Sequence, residues 1–459
     1  MKSEATQFFA KQAWVQGAWA SDVLLEVGED GCWSRVQAQT PVSLQQCATY
    51  LNGAVLPGLV NAHSHAFQRA IAGLTERRSA GANASDDFWS WRDRMYSAAL
   101  RISPEQLEAI ATQLYTELLA GGFTQVCEFH YLHHAMDGQT YANPAEMSLA
   151  LVRAAQRTGM GLTLLPTLYM RSGFTAAGLR EDQRRFATTP ESIARIVEEV
   201  QRLTANDPRI GVGVAIHSLR AVSPSALTEI SAYAKQAGLP VHIHIAEQTQ
   251  EVADCIAHTG QRPIEWLLNH AEVDACWNLV HATHTTQTEL AGVQRAGASI
   301  VICPATEANL GDGVFDFPGY AAVGGRWSLG TDSHVTRNWS EELRLLEYSQ
   351  RLTQRKRNVG AQVLGQESTA AALFDCALKG GLQASGQALG GIAVGQRADF
   401  VTLNMHASAL LGVPNTHVLD AYVFSSPSAP VEQVFAAGKL LGTDSSIAPS
   451  FVNTMKALW

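Results

Sequence analysis

Between Val55 and His334 the chain alternates eight apolar runs with stretches of helical character, and this alternation limits the fold more than any other feature. The runs are VLPGLVNAHSH (55–65), FTQVCEFHY (123–131), GLTLLPTLY (161–169), IGVGVAIHS (210–218), VHIHIAE (241–247), CWNLVHATH (276–284), SIVICPATE (299–307) and RWSLGTDSH (326–334). They are apolar along most of their length rather than at every second residue, which fits parallel strands covered on both faces. Eight strand–helix alternations predict an α/β fold, a closed (β/α)8 barrel of the TIM type. A doubly wound open sheet is the alternative. No glycine-rich dinucleotide loop follows the first run, which counts against it.

The intervening stretches carry helix start and stop signals. Ser103-Pro104-Glu105-Gln106 predicts a capping box with proline at the first helical position, and Gly121-Gly122 ends that helix. Asn143-Pro144 with Gly159, and Ser223-Pro224 with Gly238, repeat the device. The two chain ends differ from this middle. DVLLEV (22–27), DFVTLN (399–404), DAYVFS (420–425) and VEQVFAAGKLL (431–441) read as β-type segments without long helices between them. The expected organisation is a catalytic barrel over 55–389 and a small discontinuous β-sandwich domain from 1–54 and 390–459. The stretch from Ala66 to Arg101 is too long for a simple connector and is a candidate functional segment.

Bulk properties narrow the partners. The chain has 459 residues, 46% of them hydrophobic, and a formal net charge of −9. That size exceeds one ordinary core, and the acidic balance argues against nucleic acid. Seven cysteines, none in a C-x-x-C pair, read as reduced core thiols. The N-terminus lacks the apolar core of a signal peptide and no run reaches membrane-spanning length, so a cytoplasmic protein is expected.

Polar residues gather at the ends of the apolar runs, where barrel active sites lie. His63 and His65 end the first, His130 and Tyr131 the second, His217 the fourth, His244 and Glu247 the fifth, His281 and His284 the sixth, Asp332 and His334 the eighth. Two residues apart on a strand, His63 and His65 share one face and can chelate one ion. His244, His281 and Asp332 would complete a pocket with a position left open for water. His242 shares a face with His244 and competes for its role.

These blocks resemble the amidohydrolase superfamily, metal-dependent hydrolases on a (β/α)8 barrel with a small β-sandwich. The superfamily pattern of H-x-H on strand one, His on strands five and six and Asp on strand eight is matched by His63, His65, His244, His281 and Asp332. His244-x-x-Glu247 is similar to the deaminase branch, and it favours His244 over His242 as ligand. Members with two metals carry a lysine near the end of strand four, where this chain has His217. The resemblance therefore implies one ion held by His63, His65, His244 and Asp332, zinc in an N3O set, with iron as second choice. NAHSHAFQRAIAGLTE (61–76), FWSWRDRMY (88–96), EFHYLHH (128–134), AIHSLRAV (215–222) and CPATEANLGDG (303–313) extend the likeness to the branch that hydrolyses N-formimino-L-glutamate to N-formyl-L-glutamate and ammonia in histidine degradation.

For that reaction the expected catalytic residues are Asp332 and His281, which take a proton from water, and Glu247, which gives one to the leaving nitrogen. The substrate is a small dicarboxylate, and arginine's planar fork suits a carboxylate. The resemblance places substrate contacts at Gln68, Arg92, Tyr131, His217 and Arg220, and it implies a homodimer. The 303–313 block is expected to be a tight, ordered loop, with no catalytic role for Glu307 or Asp312. The nearest alternative function is deamination of a cyclic amidine such as guanine, cytosine or an adenosine derivative, which would need an aromatic base pocket in place of paired arginines.

Overall fold

The structure, a computed structural model, describes residues 6–77 and 86–459. All eight runs contribute to one parallel sheet: Leu59–Ser64, Phe123–His130, Gly161–Leu168, Val214–Ile216 after a short piece at Ile210–Val212, Val241–Ile245, Trp277–His281, Ser299–Ile302 and Arg326–Leu329. Neighbours in the chain are neighbours in the sheet. The ring closes where the chain leaving the eighth strand meets the first. Thr331 and Asp332 donate their N–H groups to the His63 carbonyl at 3.1 and 3.0 Å, and the His65 N–H donates to the Asp332 carbonyl at 3.3 Å. Every residue of the first, second, third and fifth strands is buried, as a side-chain-filled barrel sheathed in helices requires.

The helix signals operate locally. Ser103 Oγ accepts the Gln106 N–H at 3.2 Å while Gln106 Oε1 accepts the Ser103 N–H at 2.9 Å, which starts the helix Pro104–Ala120. Ser223 caps Pro224–Ala237, and Gly238 ends it at φ +65°. The helix expected at Pro144 begins at Glu146 instead. Asn143 Oδ1 accepts the Ala145 N–H at 3.0 Å in a turn that delays helix entry.

Three readings of the sequence are corrected. The first apolar run is two strands: residues up to Pro57 belong to the small sheet, Gly58 bends the chain, and the barrel strand begins at Leu59. The seventh run stops at Ile302 and turns into a helix, Pro304–Leu310, where a loop was expected. Proline at its first position and Gly311 at its end are helix signals that the loop reading overlooked. DAYVFS lies in a helix, Val418–Ser425, whose buried Leu419, Tyr422 and Val423 follow helical spacing; Tyr422 packs on Trp339 with ring centroids 4.5 Å apart.

Both chain ends build a seven-stranded sheet. Across it run Lys439–Leu440, Val431–Ala436, Phe400–Leu403, Thr49–Pro57, Thr6–Val15, Ala18–Val27 and Trp33–Gln37. Residues 1–5 of the expected small domain lie outside the described residues. Gln16 and Gly17, both at positive φ, make the tight hairpin between the strands Thr6–Val15 and Ala18–Val27. Phe8, Phe400 and Phe435 centre a separate apolar core, with the Phe400 and Phe435 rings stacked 4.2 Å apart. The last helix, Ile447–Leu458, returns to the barrel, where Arg101 donates to the Leu458 carbonyl at 2.8 Å and the Trp459 indole N–H donates to the Ala70 carbonyl at 3.0 Å.

The helix Thr369–Ser385 lies directly on the eighth strand, and a Cβ on its Gly380 would run into the Trp327 carbonyl. Gly380→Ala is expected to destabilise the protein by roughly 3 kcal/mol through overpacking, read as a lowered denaturant midpoint.

Candidate metal centre and binding cavity

Three imidazoles meet at the mouth-side end of the barrel. His63 and His65 come from the first strand, and His244 comes from the fifth. Their Nε2 atoms lie 3.1 Å (His63–His65), 3.3 Å (His65–His244) and 3.0 Å (His244–His63) apart. Asp332 Oδ1 stands 3.4 Å from His63 Nε2 and 3.3 Å from His65 Nε2. His65 Nδ1 donates to the Phe129 carbonyl at 2.8 Å and His244 Nδ1 to the His217 carbonyl at 3.0 Å. Those bonds place the ring protons on Nδ1, so the Nε2 lone pairs of both face inward.

Burial, reinforced by the neighbouring imidazoles, holds His63 and His244 well below the ordinary histidine range, and burial also lowers His65. The set is therefore neutral imidazole nitrogens beside a carboxylate. Tetrahedral zinc with Zn–N bonds of about 2.0 Å needs nitrogens roughly 3.3 Å apart, and these residues fit that requirement. His242 does not join them: its Nε2 donates to the Ala384 carbonyl at 2.9 Å, one layer deeper in the barrel.

The backbone turns sharply to present these groups. Ala246, His281, Ala282, Asp332 and His334 all have φ between +49° and +69°. Left-handed conformations cost non-glycine residues about 1 kcal/mol each, so the strain is concentrated at the strand ends that carry the site. Buried hydrogen bonds hold it. Ser64 Oγ donates to Glu128 at 2.6 Å, Tyr115 Oη donates to the same carboxylate at 3.2 Å, and Asn61 Nδ2 donates to Thr331 Oγ1 at 2.7 Å.

His281 sits among acids. Its Nε2 is 3.7 Å from Asp332 Oδ2 and 3.8 Å from Glu247 Oε1, and its Nδ1 is 3.4 Å from Glu307 Oε1. Burial opposes charging this ring, yet Glu247 and the contacts with Cys303 and Glu307 outweigh it, and its pKa stands well above the usual range. Burial pushes the Glu247 acid up to about 7; His281 opposes that rise and Asp332 adds to it. Glu307 accepts the Cys303 N–H at 3.0 Å from the helix that sequence reasoning took for a loop, so a residue given no role touches His281.

One cavity opens onto this centre, and Gln68, Arg92, Tyr131, His217 and Arg220 all line it together with His65, His244, Glu247, His281 and Asp332. Gln68 Nε2 donates to Tyr131 Oη at 3.2 Å. The His217 ring stacks on Tyr169 with centroids 4.0 Å apart. Sequence reasoning missed Tyr96, Tyr169 and Arg171 on the cavity wall. The Tyr96 and Tyr169 hydroxyls are 3.1 Å apart, and Gln183 donates to Tyr169 at 2.8 Å. Arg171 donates to the backbone carbonyls of Arg220 at 3.1 Å and Phe174 at 3.2 Å, which fastens the turn that carries Arg220. Tyr169 closes the third apolar run, and that position at a strand's C-terminal end was the available signal.

His65→Ala and His244→Ala are each expected to bring the metal content of the purified protein from about one divalent ion per chain to background. His242→Ala is expected to keep the ion. Elemental analysis of the three variants checks the ligand set.

The amidohydrolase family matches this chain over residues 54–441. A formimidoylglutamate deiminase of Pseudomonas aeruginosa is 46% identical over 438 residues, 95% of this chain and 94% of the relative. A crystal structure of an amidohydrolase from Brucella melitensis superposes with a TM-score of 0.91 at 42% identity and 99% coverage of both chains. An adenosine deaminase from Xanthomonas campestris with bound zinc superposes with a TM-score of 0.79 at 22% identity, over 99% of this chain and 98% of that one, a likeness of fold alone. With the family match running from the last strand before the barrel to the far edge of the small sheet, this chain belongs to the amidohydrolase family.

Proposed function

We propose that this amidohydrolase is a formimidoylglutamate deiminase, which hydrolyses N-formimino-L-glutamate to N-formyl-L-glutamate and ammonia as a step of histidine degradation in the cytoplasm. One observation carries the reading: a single cavity joins the imidazole–carboxylate centre to Arg92 and Arg220, with a third arginine, Arg171, turned to backbone carbonyls. The overall identity to the Pseudomonas aeruginosa deiminase supports it. The substrate has the matching layout, an amidine-like carbon at one end and two carboxylates at the other.

His63, His65, His244 and Asp332 would hold one zinc ion, which supplies Lewis acidity that lets water ionise near neutral pH. Asp332 takes the proton from the attacking water, and His281, which the surrounding acids keep protonated, donates a hydrogen bond that orients that water. Glu247, whose pKa burial raises to about 7, gives a proton to the formimino nitrogen. Both protons that water gives up end on the departing nitrogen, one at attack and one when the tetrahedral carbon expels ammonia. Arg92 and Arg220 bind the carboxylates, while Gln68, Tyr131 and His217 orient the remainder of the chain. A homodimer follows from the same resemblance and is read by sedimentation.

A second reading, deamination of a cyclic amidine, draws on the aromatic wall of Tyr96, Tyr131 and Tyr169. It leaves the two arginines without a task, which ranks it second.

Ammonia release from N-formimino-L-glutamate, measured beside guanine, cytosine and adenosine, is expected for the linear substrate and to stop with a chelator; release from a cyclic substrate alone would sink the proposal. Glu247→Gln is expected to lower kcat by about 100-fold or more with the metal retained. Arg92→Ala and Arg220→Ala are each expected to raise KM by about tenfold or more with smaller effects on kcat, as loss of a charge-assisted contact requires.

A further inference from the structure

Arg92 and Arg220 arrive from separate elements. Arg92 lies on the helix Phe88–Ala99 after the first strand, and Arg220 lies in the turn Leu219–Ala221 after the fourth. Like charges that converge on one half-enclosed cavity repel each other, and each loses hydration. Carboxylates offset this for Arg220 only from beyond ion-pair range, Glu251 foremost and Glu247 after it. Arg92 has Asp93 at 3.7 Å, but that carboxylate is mostly exposed and lies 3.5 Å from Arg180 as well. Among the described residues Arg220 has no carboxylate in ion-pair range, and the Nε atoms of both arginines are buried without a hydrogen-bond partner.

The group they share is an indole. The Arg92 guanidinium carbon lies 4.5 Å from the Trp89 ring centre, and the Arg220 guanidinium carbon lies 5.7 Å from it. Both are within cation–π range, where the negative face of the ring attracts a cation without using its N–H donors. Trp89 is itself held. Asp87 accepts its backbone N–H at 3.0 Å in the helix cap, and Phe88 packs edge-on at 5.0 Å. A carboxylate in that place would neutralise the arginines and occupy the forks that a ligand needs. An indole stabilises both charges and leaves the forks free.

We propose that Trp89 is a specificity-determining residue that holds Arg92 and Arg220 together as a receptor for two carboxylates. This rests on the dicarboxylate reading of the cavity and deepens it. Trp89 makes the protein prefer a ligand with two carboxylates over the same ligand with one, and it has no part in breaking the C–N bond.

The test is binding, measured by calorimetry on the metal-loaded full-length protein. The ligands are N-formyl-L-glutamate and N-formyl-L-norvaline, which differ in the side-chain carboxylate. Wild type is expected to favour the dicarboxylate, Trp89→Ala to lose about tenfold of that preference, and Trp89→Phe to keep most of it. Weaker binding of both ligands alike in Trp89→Ala, with the preference intact, would mark a merely structural residue and overturn the proposal. So would a wild type without preference. Ammonia release from N-formimino-L-glutamate is read separately. Its absence beside an intact preference would remove the reaction assigned above and leave the role of Trp89 standing.

Discussion

The inward-facing Nε2 lone pairs of His65 and His244, 3.3 Å apart, repel one another unless a proton or a cation lies between them. Burial closes the other way out, since it holds these rings neutral. The centre therefore suits a metal ion, and much of the surrounding structure holds it in that arrangement. The carbonyls of Phe129 and His217 fix two ring tautomers from behind. The hydrogen bonds between His63, His65 and the 331–332 segment close the barrel at the point where the first and eighth strands deliver His63, His65 and Asp332, so closure and the placement of these side chains are one event.

Backbone strain and the candidate site share positions. Ala246, His281, Ala282, Asp332 and His334 take up left-handed backbone where the fifth, sixth and eighth strands end. An extended strand points alternate side chains to opposite faces; a left-handed residue at its end redirects the next group across the mouth. Asp332 in this way approaches His63 and His65 with one oxygen and His281 with the other. The imidazoles and Asp332 are thereby held a few ångströms apart, with the raised acid of Glu247 beside them.

The cavity divides its labour by chemistry. Its floor is the imidazole–carboxylate centre, and its far wall has two guanidiniums resting on an indole rather than paired with acids. The contrast with the rest of the molecule is informative. Arg69 meets Glu117 at 2.7 Å, and the buried Arg397 meets Asp399 at 2.7 Å. Of the three arginines that line the cavity, Arg92 has only a mostly exposed carboxylate in ion-pair range, Arg220 has none among the described residues, and Arg171 is held by backbone carbonyls.

Much of the barrel was legible because parallel strands buried on both faces must be apolar throughout, and because H-x-H on a strand has a local geometric meaning. His63, His65, His244, Glu247, His281 and Asp332 stood out as polar endings of apolar runs. The misreadings came from places where short-range pattern and long-range packing part company. DAYVFS has β-type composition but is helical because Trp339 and the helices beneath it accept its Tyr422 face. Glu307 was given no role within its block, Tyr169 was read only as the end of a run and Arg171 carried no motif; each gains its place from what lies opposite it. The order of strands, the residue types at their ends and the chance to bind a metal were determined by the sequence alone, because periodicity and side-chain chemistry are local properties. Which imidazole of a distant strand faces His63 and His65, which arginines lack acids and which indole Arg220 shares with Arg92 were decided only by the tertiary structure, because His244 lies about 180 positions from His63 and Arg220 about 130 from Trp89 in the chain.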